Sequence, residues 1–282
     1  MKISFKDIKR AGKNLLKGNP IISKINLEIV QKTPSEIFKN KKILITGGGR
    51  GLGFYIAQKC INEGAEVIIT GRKEETLIKA VEKLGKNARY KVFDIENVEK
   101  IEEFYKDIIK EYGNIDCLIN NAGISLHENE ITNVTIEGFN AQINTNLRGA
   151  YFLAKEYIKD IEKNKDKYGN IIFISSERGA QCDQIPYGLT KVAINSLTEG
   201  LSRKYYSKGI RVNAVAPGVT ASEMTGIDKD SNLYCEWNAS KRFFIPEEVA
   251  EVVAFLISDY SKCISGEVIY TDAGNHLNPW WK

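Results

Sequence analysis

The chain has 282 residues, 43% of them hydrophobic and 27% charged, enough to bury a full-sized core and too apolar for a disordered chain. A net charge of +4 is too small to argue for nucleic acid, and five cysteines, odd in number and without CxxC spacing, exclude a disulfide framework and a zinc ribbon. No apolar run nears the roughly 18 residues that span a bilayer, and the N-terminus lacks a signal-peptide core, so the expected setting is cytoplasmic, without a membrane span.

The first stretch of the chain stands apart from the rest. Residues 1 to 42 hold eleven Lys or Arg against Asp7, Glu28 and Glu36, a surplus of eight that leaves the remainder net acidic by four. Pro20 and Pro34 break this stretch, so a basic N-terminal extension is expected over residues 1–40 and a single domain over 41–282. From Lys42 onward, short β-branched runs (43–46, 67–70, 90–93, 117–120, 171–175, 212–216 and 268–270) alternate with longer segments of helical period. Runs such as KILIT, EVIIT and NIIFIS are continuously apolar, as strands covered on both faces must be. With helical period over 74–84 and 98–112, the rhythm predicts a doubly wound Rossmann-type α/β fold with a seven-stranded parallel sheet and helices on both faces. An irregular segment, 219–244, precedes a helix opening at Pro246; its length and its Met224, Tyr234 and Trp237 suit a lid or substrate loop.

Between the first strand and the first helix stands Thr46-Gly47-Gly48-Gly49-Arg50-Gly51-Leu52-Gly53. Glycines at 47, 51 and 53 permit a tight turn, close approach of backbone to a pyrophosphate, and close packing of helix on sheet. The helix N-terminus adds unpaired N–H groups and partial positive charge for the phosphates. At the end of the second strand, where a carboxylate would hold a ribose 2′-hydroxyl, Gly71 and Arg72 stand instead. Together with Arg50, two guanidinium groups can meet a 2′-phosphate, and no acid is expected there to repel it, which predicts NADP(H) over NAD(H).

Tyr187 and Lys191 are spaced i, i+4 at the start of a segment of helical period and so share one face. A phenol titrates near pH 10, too high for a base at neutrality, and a neighbouring ammonium is expected to lower it. The two histidines, His127 and His276, lie far apart and no metal site is expected.

With these residues in place, the sequence resembles the short-chain dehydrogenase/reductase family, in its short single-domain branch, over about residues 41–275. The resemblance is carried by the Thr46 to Gly53 loop, Asp94, Asn120-Asn121-Ala122-Gly123, Asn146 in NTNLRGAYF, Ser176 in FISSERG, Tyr187 with Lys191, and Pro217-Gly218 in VNAVAPG. It implies that Tyr187 is the general acid/base, that Lys191 lowers its pKa and holds the nicotinamide ribose, that Ser176 binds the substrate oxygen, and that Asn146 supports a proton relay. It implies further that Gly47, Arg50, Gly51, Leu52 and Gly53 meet the phosphates and neighbouring ribose. Asp94 and Ile95 would flank the adenine, Asn120, Ala122 and Gly123 would line the ribose path, and Pro217, Gly218, Val219 and Thr220 would meet the carboxamide side. The loop from Ser176 to Tyr187 is about two residues shorter than is usual, which leaves Ser175 as a competitor for the serine role. Ser222 competes with Thr220. Glu177 and Arg178 stand where small apolar residues are common, and read either as a solvated loop or as recognition of a polar or ionised substrate.

The resemblance implies an NADP(H)-dependent oxidoreductase acting on a carbonyl or secondary alcohol, similar to the 3-oxoacyl-carrier-protein reductases, and a homodimer or homotetramer, in which Trp280 and Trp281 could make a subunit contact. The basic extension would meet an acidic carrier or lie over a neighbouring subunit. The alternative from another class is a non-catalytic NADP(H)-binding sensor or scaffold. A sugar epimerase of the longer branch is disfavoured, because too little chain follows Val219 for a separate sugar domain.

Overall fold

The computed structural model describes residues 36–163 and 168–277. Most of the basic extension, and Trp280 with Trp281, lie outside the described residues. Seven strands form one parallel sheet: β1 (Lys42–Thr46), β2 (Glu66–Gly71), β3 (Ala88–Val92), β4 (Cys117–Asn120), β5 (Gly169–Ile174), β6 (Ile210–Pro217) and β7 (Val268–Thr271). Their order is β3-β2-β1-β4-β5-β6-β7, with Leu44 in register with Ile68 on one side and Leu118 on the other. This is the doubly wound arrangement expected. The order reverses between β1 and β4, and folds of this kind bind ligands outside the carboxyl ends of the strands at such a reversal.

Alternation along each strand divides the core into two layers. Ile43, Ile45, Val67 and Ile69 face α1 (Gly51–Asn62), α2 (Glu74–Leu84) and α7 (Pro246–Ile257), meeting Ile56, Leu77, Val249 and Val253. Leu44, Ile68 and Leu118 face the other way, onto α3 (Ile101–Tyr112), α5 (Ala150–Lys163) and α6 (Pro186–Tyr205), meeting Phe104, Leu153, Tyr157 and Ile194. Phe38, just before β1, is fully buried in the first layer, and its N–H donates to Glu63 O at 2.8 Å.

One helix differs from the sequence expectation, and one turn was not anticipated by it. The segment 98–112 opens with a 3-10 turn, Val98–Lys100, before α3 begins. Between α4 (Ile136–Ile143) and α5 the chain makes a π turn, Asn144–Gly149, an inserted-residue distortion that often marks functional sites. The segment 219–244 carries only isolated bridges, Thr220 to Phe244, Ser222 to Ile227 and Tyr234 to Arg242. Among the described residues, no helix is long and apolar enough to cross a membrane, and no group of three or more His, Cys, Asp or Glu could hold a metal ion.

Candidate active site

The glycine loop leaves the carboxyl end of β1 with Gly47 at φ +67° and Gly51 at φ +53°, left-handed backbone that side chains rarely adopt. Thr46 clamps this loop to the one after β4. Its Oγ1 accepts from the N–H groups of Asn121 and Ala122, both at 3.0 Å, while Asn121 Nδ2 donates to Thr46 O at 2.9 Å and Gly47 O at 3.2 Å. Asn121 is a structural member of the site that spacing alone did not single out. Helix α1 begins at Gly51 with no side-chain cap and no acid in its first turn, so its first N–H groups stay available to an anion. Leu52 packs against the core.

The two arginines are not free. Arg50 forms an ion pair with Glu223 from the segment after β6, and Arg72 Nη1 lies 3.8 Å from Glu96 Oε1. The expectation that no acid stands near Arg72 is therefore corrected: Glu96 comes back from the loop after β3, where Asp94 Oδ1 accepts its N–H at 3.1 Å. Ile95, between them, is buried against Gly149 of the π turn. A cleft of about 730 Å³ runs from Arg50 and Gly51 past Tyr55, Lys79 and Lys83 to Glu223 and Lys229.

At the end of β4, Asn120 is buried and neither its Nδ2 nor its Oδ1 has a partner. An orphaned buried amide, an uncapped helix N-terminus and a loop tight enough to exclude Cβ atoms together fit the polar edge of a dinucleotide. Gly123 leads from this point toward the catalytic side: a Cβ there would stand 3.4 Å from Asn146 Oδ1 and 3.7 Å from Lys191 Nζ. Pro217, Gly218, Val219 and Thr220 close the other flank. Thr220 Oγ1 donates to Gly218 O at 2.9 Å, whereas Ser222 is held by Thr225.

Four predicted side chains converge here. The π turn presents Asn146, 3% exposed, whose Nδ2 donates to Ile124 O at 2.9 Å and to Thr190 Oγ1 at 3.3 Å, while its Oδ1 accepts from Ile124 N at 2.8 Å. Helix α6 starts at Pro186, so Tyr187 and Lys191 sit one turn apart near its N-terminus. Lys191 is buried and its Nζ donates to Ile174 O at 2.8 Å, 5.4 Å from the Tyr187 ring centroid. Burial lowers the Lys191 ammonium to about 8. The phenol of the free site is not lowered as expected: burial raises it, neighbouring Ser176 and Arg178 pull it back, and Glu177 adds to the rise.

The adjacent serines have separate surroundings. Ser175 Oγ donates to Asn195 Oδ1 at 2.6 Å and to Lys191 O at 3.4 Å, inside the packing of α6 on β5. Ser176 faces Tyr187 and accepts from Arg178 N at 3.3 Å. Directly after Ser176 the short loop winds into a 3-10 turn, Glu177–Ala180. Glu177 and Arg178 are not a solvated loop. Glu177 is 4% exposed, and Arg178 is locked onto Asp183 through Nε and Nη2 at 2.7 and 2.8 Å. His127, on the rim, meets Met224 O through Nε2 at 3.0 Å.

A family model described as enoyl-(acyl carrier protein) reductase matches residues 47–276, the span that holds Asn146, Ser176, Tyr187 and Lys191. The chain belongs to the short-chain dehydrogenase/reductase family. That family is one of oxidoreductases. Among its members, the 3-oxoacyl-[acyl-carrier-protein] reductase FabG of Chlamydia trachomatis is 34% identical over 249 residues, covering 85% of this chain and 99% of that protein. The structure of a 3-ketoacyl-(acyl-carrier-protein) reductase from Brucella melitensis, complexed with NADH, superposes with a TM-score of 0.78 at 26% identity, covering 85% of this chain and 99% of the other. A gluconate 5-dehydrogenase from Burkholderia cenocepacia, in complex with NADP and tartrate, gives the same TM-score and identity over 87% and 99%. These family members carry either nicotinamide nucleotide, so cofactor choice in this chain turns on its own residues.

Proposed function

We propose that the protein is an NADP(H)-dependent reductase of carbonyl compounds, or dehydrogenase of the matching secondary alcohols, working in the cytoplasm on a small or carrier-linked substrate of the 3-oxoacyl type. The observation that carries this is the convergence of Ser176, Tyr187, Lys191 and Asn146 beside a glycine loop open to phosphates. NADPH, when bound, supplies the hydride. Gly47, Arg50, Gly51, Leu52 and Gly53 would hold its phosphates, Arg72, Asp94 and Ile95 its adenosine end, Asn120, Ala122 and Gly123 its ribose, and the Pro217 to Thr220 stretch its carboxamide. Ser176 and Tyr187 grip the substrate oxygen, and Tyr187 gives it the proton as negative charge develops there. A phenol held above its usual range is fully protonated at neutral pH, the form a reduction needs. Lys191 and Asn146 stand behind it as the path by which that proton is restored.

Preference for the 2′-phosphate rests on Arg50 and Arg72, which must leave Glu223 and Glu96 to meet it. A charge-assisted pair contributes about 1.5–3 kcal/mol, so NADPH is expected to exceed NADH by at least tenfold in kcat/KM. The test is NADPH oxidation across a ketone and 3-oxoacyl thioester panel, with Ser176→Ala and Ser175→Ala alongside. Ser176→Ala is expected to lower kcat by about a hundredfold or more through loss of an oxyanion donor. Ser175→Ala should chiefly lower the melting temperature. Equal rates with NADH, or an inert wild type, would remove the reading.

A homodimer or homotetramer is part of the same proposal. Exposed Tyr151 of α5 lines a groove with Leu147 of the π turn and Leu197 and Leu201 of α6, and α6 also exposes Leu189 and Val192, an apolar surface suited to a second copy and readable by light scattering.

A further inference from the structure

The mechanism above makes no use of Glu177, yet the chain buries its carboxylate one residue from Ser176. Burying a carboxylate without an ion pair is costly. Arg178, the nearest cation in sequence, is committed to Asp183, and His276 Nδ1 is bonded to Asp272 Oδ2 at 2.7 Å. Glu177 Oε2 instead accepts from Asn275 Nδ2 at 2.9 Å, and Asn275 Oδ1 accepts from the N–H of Ala239 at 3.1 Å. Asn275 is itself 7% exposed and stands in the turn after β7. One buried asparagine thus joins the serine turn to the 219–244 segment near its C-terminal end.

That segment has other attachments on the opposite flank of the site. Glu223 pairs with Arg50 of the glycine loop, and Met224 O meets His127 of the rim loop. Both are at the surface, where salt and water compete. The Ala239 anchor is the buried one. Exposed Trp237 and Tyr234 stand close to it in sequence, around buried Cys235 and Asn238.

We infer that Glu177 and Asn275 form a bridge through which the serine turn positions the 219–244 segment over the substrate, making Glu177 a positioning residue that sets substrate fit without touching the substrate. The inference rests on the reductase reading for what the segment covers. Burial raises the Glu177 carboxyl, as does Asp272, while Asn275, His276 and Arg178 oppose the rise, so the asparagine bond is its main local support.

Four variants test it: Glu177→Ala, Glu177→Gln, Asn275→Asp, and the pair Glu177→Gln with Asn275→Asp. The first removes the acceptor, the second keeps it without charge, the third sets two carboxylates face to face, and the double variant restores a donor and acceptor with their direction reversed. Two readouts are taken, the KM split between ketone and NADPH, and the rate of tryptic cleavage at exposed Lys241 and half-buried Arg242 within the segment. Glu177→Ala and Asn275→Asp should raise the ketone KM and the cleavage rate about tenfold, the scale of one buried hydrogen bond, with KM for NADPH within about twofold. Glu177→Gln and the double variant should return toward wild type. Failure of the double variant to rescue, Glu177→Gln as damaged as Glu177→Ala, or unchanged cleavage in every variant would overturn the bridge. A wild type inert toward all ketones would overturn the reductase reading alone, since cleavage is read on the protein without turnover.

Discussion

Replacing Tyr187 with phenylalanine should lower ketone reduction by about a thousandfold, within the range that removal of a positioned general acid produces, while leaving NADPH affinity within about twofold. The ring stays, so packing at the start of α6 is kept. Ser176, the neighbour of the hydroxyl lost, retains the N–H of Arg178 as a donor at 3.3 Å. Melting temperature should therefore move little, and a variant that is both inactive and strongly destabilised would point to a structural role. The same centre gives a pH prediction of defined sign. Burial lowers Lys191 to about 8, so the ammonium that backs Tyr187 is lost as pH rises through that value. The kcat/KM for reduction should be flat below it and fall above it. Stability should move in the opposite direction: between about 8 and the unfolded value of 10.5 the unfolded chain binds more protons at this lysine than the folded one, so its contribution to stability rises with pH. A fall of activity accompanied by a gain in stability over one pH window separates titration of Lys191 from general alkaline unfolding. Coincident loss of both would sink the assignment.

Much of the architecture was legible because it rests on local signals. Strands buried on both faces must be apolar throughout, and β4 occupies the run expected for it, while β3 at the sheet edge begins two residues earlier than expected because its outward positions carry Arg89 and Lys91. Glycines that need positive φ, and Tyr187 with Lys191 at helical spacing, are likewise local. What escaped is long-range or carries no compositional mark. A π turn uses the same residues as an α-helix and differs only in the reach of its hydrogen bonds, so the presentation of Asn146 was invisible. The choice between Ser175 and Ser176 depends on where β5 ends and which face each serine takes, and one residue of strand register reverses it. The pairs that decide local charge, Arg50 with Glu223, Arg72 with Glu96 and Glu177 with Asn275, join residues 173, 24 and 98 positions apart. Charged residues in a loop read as solvated unless their partners are known, and only the fold supplies the partners.

Substitution of Gly53 by alanine should damage the protein more than the same change at Gly51, although both lie in the first turn of α1. In an ordinary helix, glycine to alanine stabilises by about 1 kcal/mol. At Gly53 the added methyl would stand 2.4 Å from Gly47 O and 2.5 Å from Asn121 Nδ2. A Cβ has no rotamer to escape by. Gly47 cannot yield easily, since its N–H donates to Thr70 O at 2.8 Å and its carbonyl accepts from Asn121, nor can Asn121 leave without unpairing Thr46 O. The helix must therefore lift from the loop, at the cost of overpacking, about 1–3 kcal/mol or more, which outweighs the propensity gain. That corresponds to a fall of roughly 2–10 °C in melting temperature for a domain of this size. The displaced N-terminus also withdraws its N–H groups from the phosphates, so NADPH affinity should drop by about a hundredfold or more. Gly51 has open space around it and only its φ of +53° to maintain, a strain of about 1–2 kcal/mol for alanine, partly offset by propensity. Its variant should melt within a few degrees of wild type and keep measurable NADPH binding in calorimetry. If Gly51→Ala proved the more damaging of the two, the close contact between α1 and Gly47 could not be what shapes the phosphate loop.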